Sequence, residues 1–441
     1  MNVIKNSLYL GKVWLEARHN LLILDSMLGF CKPISSKKRF LPQRALAPGF
    51  SFCLFEKAEH LPAQEWNALA KHKGIFLHRD YLQIIESSNF AKLMWRYAMV
   101  QHEGKACGIV YFQISDFNAG LLADLAEQPS VNKHAAMLKK YVLAHHQETM
   151  MRLITCGNNL ISGSYGFYFK PEIDEALVHQ MVLSLTEIIS KEDKLKNTIS
   201  ATLIKDFESP LKPAQIFVKE KYRTFSVEPN MVVDIPSGLN TLDDYIQLFS
   251  KKYRNRAKSI FKKFNGIQIK ALSTAEVLAL NSDIYTLYES IFNEAQFKLM
   301  KLPGNYFAAC RQHFEDKFFV KGFYLEDKLV AFYSYIINNR GSVEAHYIGL
   351  NYEYNLDYCL YQNILYDLIK VAIEHKADKL NLGRTAAEIK TTVGALPQDL
   401  ICYIKPQNTV FKLIQKPLMT MLEPSAYTPR NPFKEELVPV S

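Results

Sequence analysis

The sequence predicts an α/β protein of two domains, and three observations carry that reading. The chain has 441 residues, more than one ordinary hydrophobic core organises. Short stretches alternate apolar and polar residues while longer ones repeat apolar residues at helical spacing, the mixture of an α/β fold. The order of those stretches in the first half then returns in the second.

Residues 1–50 contain Lys37-Lys38-Arg39 and Pro48 and read as an N-terminal extension. From residue 51 the α/β pattern begins. Residues 81–87 predict a helix, and 97–101 and 106–113 predict two strands about a turn at 102–105. Residues 152–155 and 168–169 are strand material on either side of a glycine-rich loop at 157–166. A helix follows over 175–189, with Val178, Met181, Val182, Leu185 and Ile188 on one face, and then a β-rich run at 198–204. The second copy consists of a hairpin at 322–326 and 329–337, a strand at 343–349, a long helix at 359–375 and a strand at 379–382. Domains over 51–228 and 229–415 are expected, with 416–441 as an extended tail that wraps the surface or is disordered from Pro417 onward.

Composition narrows the function. Hydrophobic residues make up 48% and aromatics 12%, enough for packed cores. The seven cysteines are scattered and lack CxxC spacing, which points to buried thiols in a reducing cytoplasm and to no disulfide framework or zinc site. His145-His146 has no companion ligands, so no metal is expected. No apolar run reaches bilayer length, and the stretch from Leu21 to Cys31 is interrupted by Asp25, so neither a transmembrane segment nor a signal peptide is expected. Peripheral membrane contact through the extension stays open. A net charge of +9 suits anionic partners, among them CoA phosphates, carrier proteins, RNA and lipid headgroups. No DNA partner is expected.

Between the two copies lies KKYRNRAKSIFKKF, residues 251–264, with seven cations and no acid. Tyr253, Ala257, Ile260, Phe261 and Phe264 share one helical face, so this is an amphipathic basic helix. Thr241-Leu242-Asp243-Asp244 suits the cap of the helix before it.

This order of elements resembles the GNAT superfamily, the acyl-CoA N-acyltransferase fold, and within it the tandem-domain FemAB-like branch. KKYRNRAKSIFKKFNGIQIK, residues 251–270, is similar to the helix and strand that open the second domain of that branch. The run from Ser342 to Gly383 resembles the family's strand, central helix and strand. GRTAAEIKTTVGA, residues 383–395, resembles the segment that follows in uncharacterised bacterial FemAB-like acyltransferases. TCGNNLISGSYGFYF, residues 155–169, is a weaker match in the first half. The resemblance implies two tandem GNAT-like domains with mixed sheets flanked by helices. It also implies acyl transfer to a small-molecule amine such as an amino acid, amino sugar or amino-lipid. The donor would be acyl-CoA or an acyl-carrier protein or, alternatively, aminoacyl-tRNA in cell-wall peptide synthesis. A non-catalytic protein that binds an envelope precursor is the remaining reading. One departure matters: the loop that holds the CoA pyrophosphate in this fold corresponds to 350–358 here, with no glycine and two acids.

The candidate site residues follow. Arg384 and Lys390, with Thr385, suit a substrate carboxylate or phosphate. Glu388 suits proton removal from the attacking amine or, with Thr385, a capping box. Alternation places Glu344 and His346 on one face of their strand and Tyr347 on the other, where Tyr347 would line the substrate. His346 reads as a base oriented by Glu344, or as a satisfied core histidine. Tyr358 suits protonation of a leaving thiolate or plain packing, and Asp357 a helix N-cap. Lys252, Arg254, Arg256 and Lys258 suit phosphate or carrier binding, or a solvated face. Cys156 has no histidine at persuasive spacing and is not expected to be a nucleophile.

Overall fold

A computed structural model describes residues 44–87, 93–118, 150–208, 215–294, 300–338, 341–424 and 426–434. Most of the extension, Cys31 and the His145-His146 pair lie outside them.

The first half runs β1 (Arg44–Ala47), β2 (Phe50–Phe55), α1 (Ala63–Ala70), α2 (Arg79–Ser87), β3 (Leu93–His102), β4 (Lys105–Asn118), β5 (Met150–Cys156), β6 (Phe167–Phe169), α3 (Glu175–Ser190) and β7 (Ile199–Glu208). A connection of α4 (Gln215–Lys219), β8 (Arg223–Asp234), α5 (Leu242–Gln247) and α6 (Lys251–Lys263) leads onward. The second half runs β9 (Ile267–Ala271), α7 (Thr274–Ala279), α8 (Asn281–Glu294), α9 (Tyr306–His313), β10 (Phe318–Leu325), β11 (Lys328–Ile337), β12 (Ser342–Leu350), α10 (Tyr352–Tyr358), α11 (Leu360–Glu374) and β13 (Lys379–Asn381). It closes with α12 (Ala387–Thr391), β14 (Leu396–Pro406) and α13 (Thr409–Leu422).

The strands form one sheet in the order β1-β2-β3-β4-β5-β7-β14-β8-β13-β12-β11-β10-β9, with β6 beside β4. Among the described residues two pairs are parallel, β5 with β7 and β12 with β13. A parallel pair needs a crossover, and α3 and α11 supply the two. The halves exchange their last strands. β8 follows β7 in sequence but pairs with β13, while β14 follows β13 but pairs with β7. β8 therefore runs unbroken across residues 228 and 229.

Burial follows the pleat. On β12, Val343, Ala345, Ile348 and Leu350 face a core built with α6 and α11. The opposite face carries a core shared by both halves, in which Trp66, Tyr81 and Tyr97 of the first meet Tyr306, Phe307 and Phe332 of the second. Trp66 is fully buried and its indole N–H donates to the Leu77 carbonyl at 2.7 Å, so burial leaves no orphaned donor. Gly349 lets α8 close on this face: a Cβ there would sit 2.6 Å from the Leu287 carbonyl carbon and 2.7 Å from the Tyr288 nitrogen.

Thr241 and Asp244 form the expected reciprocal cap of α5. Three local expectations change. The tail is helical from Thr409 through Leu422, because Phe411, Ile414 and Leu418 bury an apolar stripe against β14 and its neighbours. Only after it does the chain run extended, anchored where Phe433 bridges Phe249. The segment 350–358 is mostly the helix α10 rather than a loop. The β10–β11 turn falls at Glu326-Asp327, one residue earlier than expected, with Glu326 at φ 54°.

Candidate functional site

β12 and β13 are paired only from Ser342 to Glu344, which stands opposite Asn381. Beyond that point β13's chain keeps only its pairing with β8, which Leu382 N–H continues by donating to Met231 O at 2.8 Å and Met231 N–H by donating to Gly383 O at 3.1 Å. The two parallel strands therefore part at Glu344, leaving an opening in the sheet along the rest of β12. Next along β12 is a β-bulge. Tyr333 opposes Ile348 and Tyr335 opposes Ala345, so Ser334 alone faces both His346 and Tyr347. The extra residue breaks the alternation that would separate these two side chains. Glu344, His346 and Tyr347 consequently lie on one face, a correction to the expectation from simple strand periodicity.

Glu344 is half-buried at the apex of the opening. Burial raises its pKa to about 7, against hydrogen bonds from Asn381, Asn338 and Ser342 that favour the carboxylate. Asn338 Nδ2 donates to Glu344 Oε1 at 3.2 Å. His346 is held differently. Its Nδ1 lies 3.1 Å from Ser334 Oγ and its Nε2 3.1 Å from Tyr306 Oη, which is itself 3.0 Å from Tyr81 Oη across the junction of the halves. Burial lowers the imidazole's pKa to about 3, so the ring is neutral at ordinary pH. The hydrogen bonds of His346 do not include Glu344, so the expected orienting pair is not formed. Tyr347 donates its hydroxyl to Leu160 O, tying the 157–166 loop of the first half to the second-half strand.

The 383–390 segment is anchored from two sides. Gly383, Thr385 and Ala386 all have positive φ (69°, 65° and 49°), so the chain turns sharply after β13. Arg384 pairs with Asp206, which is fully buried, has φ 61° and receives Lys205 Nζ at 2.6 Å and Gly163 N–H at 3.0 Å. Burial pushes the Asp206 carboxyl up, but Lys205 and Arg384 outweigh it and the pKa is lowered. Lys205 also donates to the carbonyls of Asn158 and Ile161 at 2.9 and 2.7 Å. Lys390, buried, donates to the carbonyls of Gly383 and Arg384 at 3.1 and 2.6 Å, and burial lowers its pKa to about 7.

Other sequence-expected residues lie elsewhere. Glu388 is exposed and pairs with Arg430 at 2.6 Å. The Thr385–Glu388 capping box does not form, because Ala386 in left-handed conformation is the N-cap of α12. Tyr358 is half-buried where α10 meets α11, packed against the α6–α11 core. Asp357 does not cap α11; that place falls to Cys359 at φ 50° with no side-chain cap. Instead Asn355 Oδ1 accepts from Tyr361 N–H at 3.0 Å, and Asn363 Nδ2 donates to Tyr358 O and Cys359 O. Lys252, Arg256 and Lys258 are exposed on α6, whereas Arg254 is half-buried and donates to Phe249 O. Among the described residues no group of three or more His, Cys, Asp or Glu is arranged to hold a metal, and no helix is long and apolar enough to cross a membrane.

Sequence reasoning missed Asp206 and Lys205, and also Ser334, Tyr306, Asn338 and Asn381. A signal existed for the first two: a charged Lys-Asp pair interrupts the β-rich run that ends in the first half. For the others there was none, since their roles depend on strand neighbours distant in sequence.

No family model matches the chain, and no curated protein does. Solved structures do. FemX is 11% identical over 81% of this chain and 99% of its own, with a TM-score of 0.50. The fold is two tandem GNAT-like domains. A tandem GNAT protein of the clavulanic acid biosynthesis pathway is 10% identical, covering 81% of this chain and 99% of that one at a TM-score of 0.45. The C-terminal domain of a putative lysylphosphatidylglycerol synthetase from Agrobacterium fabrum is 9% identical, covering 82% and 95% at 0.44. At such identities the likeness is one of fold.

Proposed function

We propose that the protein is an N-acyltransferase whose chemistry takes place at the opening between β12 and β13. The observation that carries this reading is Glu344, a carboxyl at the apex where the parallel strands part, with its pKa raised to about 7. A base poised near neutral pH both accepts and returns a proton efficiently. The acceptor binds as the neutral amine. Its nitrogen attacks the thioester carbonyl, an N–C bond forms, and the nitrogen's proton passes to Glu344. Collapse of the tetrahedral intermediate breaks the C–S bond, and the departing thiolate takes the proton back from Glu344. Amine and thioester thus become amide and thiol, with the enzyme unchanged. His346, neutral and engaged with Ser334 and Tyr306, shapes the floor of the opening rather than moving protons in this scheme. Arg384 and Lys390, engaged by Asp206 and by the Gly383 and Arg384 carbonyls, hold the turn after β13 in place, and the exposed Thr385 on that turn suits contact with the acceptor.

A thioester on a carrier protein suits the site better than free acyl-CoA. At the N-terminus of α11, where a pyrophosphate would meet backbone N–H groups, α10 joins directly through Cys359, and Asn355 Oδ1 already accepts the Tyr361 N–H. The test is amide formation followed by mass spectrometry, with acyl-CoA, acyl-carrier protein and charged tRNA offered in parallel to an amine panel. Thioester-dependent product whose rate rises with a midpoint near pH 7, a rise that Glu344→Gln abolishes, supports the proposal. Product from charged tRNA alone assigns aminoacyl transfer instead, and no product from any donor leaves a binding protein.

A further inference from the structure

We infer that α6 and α10 together form the dock for an acidic carrier protein that delivers the acyl group. The inference rests on the thioester reading above and names its partner. Helical spacing sets the outward residues of α6 in two rows, Lys251, Asn255, Lys258 and Lys262 in one and Lys252, Arg256, Ser259 and Lys263 in the other. Each row is about 16 Å long at 1.5 Å rise per residue. All eight side chains are exposed, and none of the six cations forms an ion pair among the described residues. The buried face of the helix, through Tyr253, Ala257 and Ile260, belongs to the second-half core, so the ridge is rigidly held.

α6 packs beside α10, and α10 adds what a plain charge patch lacks. Leu356 is 80% exposed and Tyr352 46%, one turn apart on the same helix face. Each is followed in sequence by an exposed acid, Asp357 and Glu353. A cationic ridge beside an apolar pair fits a protein surface that offers acids to the ridge and an apolar contact to Leu356, charge for steering and apolar area for residence. A nucleic-acid backbone continuing past the ridge meets Glu353 and Asp357, and the outward face of α6 has no aromatic ring on which a base could stack. A bilayer, flat and uniform in charge, would bring anions against Glu353 and Asp357 as well as the ridge, whereas a protein surface can set its acids over the ridge alone. The position also suits delivery. α10 begins directly after β12, and from Leu350 back to Glu344 is roughly 20 Å of strand, a path for a long flexible thioester arm along the opening.

The experiment compares an acyl-carrier protein bearing an octanoyl thioester with octanoyl-pantetheine as donors, for the wild type, Lys251→Glu/Lys262→Glu and Leu356→Asp. The expected result is a fall of at least tenfold in the ratio of kcat/KM for the carrier over that for the free thioester, in both variants. A ratio within twofold of wild type overturns the dock while leaving N-acyl transfer standing. If neither donor is turned over, the acyl-transfer reading fails, and the dock is judged by fluorescence anisotropy with labelled carrier protein. Carrier binding that both variants weaken tenfold supports it. Binding only to tRNA or to phosphatidylglycerol vesicles, lost in the charge-reversed variant, overturns it.

Discussion

The two parallel strand pairs start from the same plan and end differently. In the first half β5 and β7 stay paired from Arg152 to Cys156, and apolar side chains close both faces of the sheet around them. In the second half β12 leaves β13 after Glu344, a bulge turns His346 and Tyr347 to the same face, and polar groups gather at the gap. The difference teaches where, under the proposed function, a duplicated fold can place its chemistry. One copy keeps its hydrogen-bond ladder and serves as scaffold, while the other interrupts the ladder and exposes groups whose ionisation the surroundings can tune. The scaffold copy still contributes, because Asp206, Lys205 and the 157–166 loop reach across to hold the 383–384 turn and Tyr347.

That asymmetry is tested hardest by removing a titrating group from each copy. Glu344→Gln should lower turnover by about 10²–10⁴-fold, the span of general-base contributions, with little change in melting temperature. Cys156→Ala, at the end of the first-half strand, should stay within a few-fold of wild type in the same assay. Equal losses would break the comparison.

The contact between copies comes next. Asp206→Asn leaves Lys205 and Arg384 without their shared carboxylate, and urea unfolding should show a loss of about 3–5 kcal/mol. A loss below about 1 kcal/mol, the range of exposed pairs, would mean that water already serves these cations.

Gly349→Ala probes how closely α8 is set against the bulged strand. Overpacking there should cost about 1–3 kcal/mol in the same measurement; a neutral result would mean that α8 shifts freely.

The last comparison is a pH dependence. His346 has a folded pKa of about 3, below its unfolded value of about 6.5. Its contribution to stability is therefore present above pH 6.5 and is lost progressively as the pH falls toward 3. His346→Gln should flatten the stability curve over pH 6.5–4, and an unchanged slope would place the ring in a wetter setting.

Much of the fold was legible in advance because it rests on local periodicity. The helices at 175–190, 251–263 and 360–374 and the strands around them are written in spacings of 3.6 and 2, and the Thr241 cap in residues three apart. The repeated order of elements was legible for the same reason. Glu344, His346 and Tyr347 could be marked as candidates from their strand, but not the face each occupies, since a bulge is set by the partner strand and leaves alternation intact on paper. The tail helix past Pro417 escaped because its apolar stripe acquires meaning only against β14.

The sequence by itself determined the elements, the duplication and the basic face of α6, all consequences of interactions within a few residues. Only the tertiary structure decided that the halves exchange their last strands, that β12 and β13 part at Glu344, and that Asp206 meets Arg384. Those outcomes join groups far apart in the chain, where strand pairing and burial in a shared core select the partner.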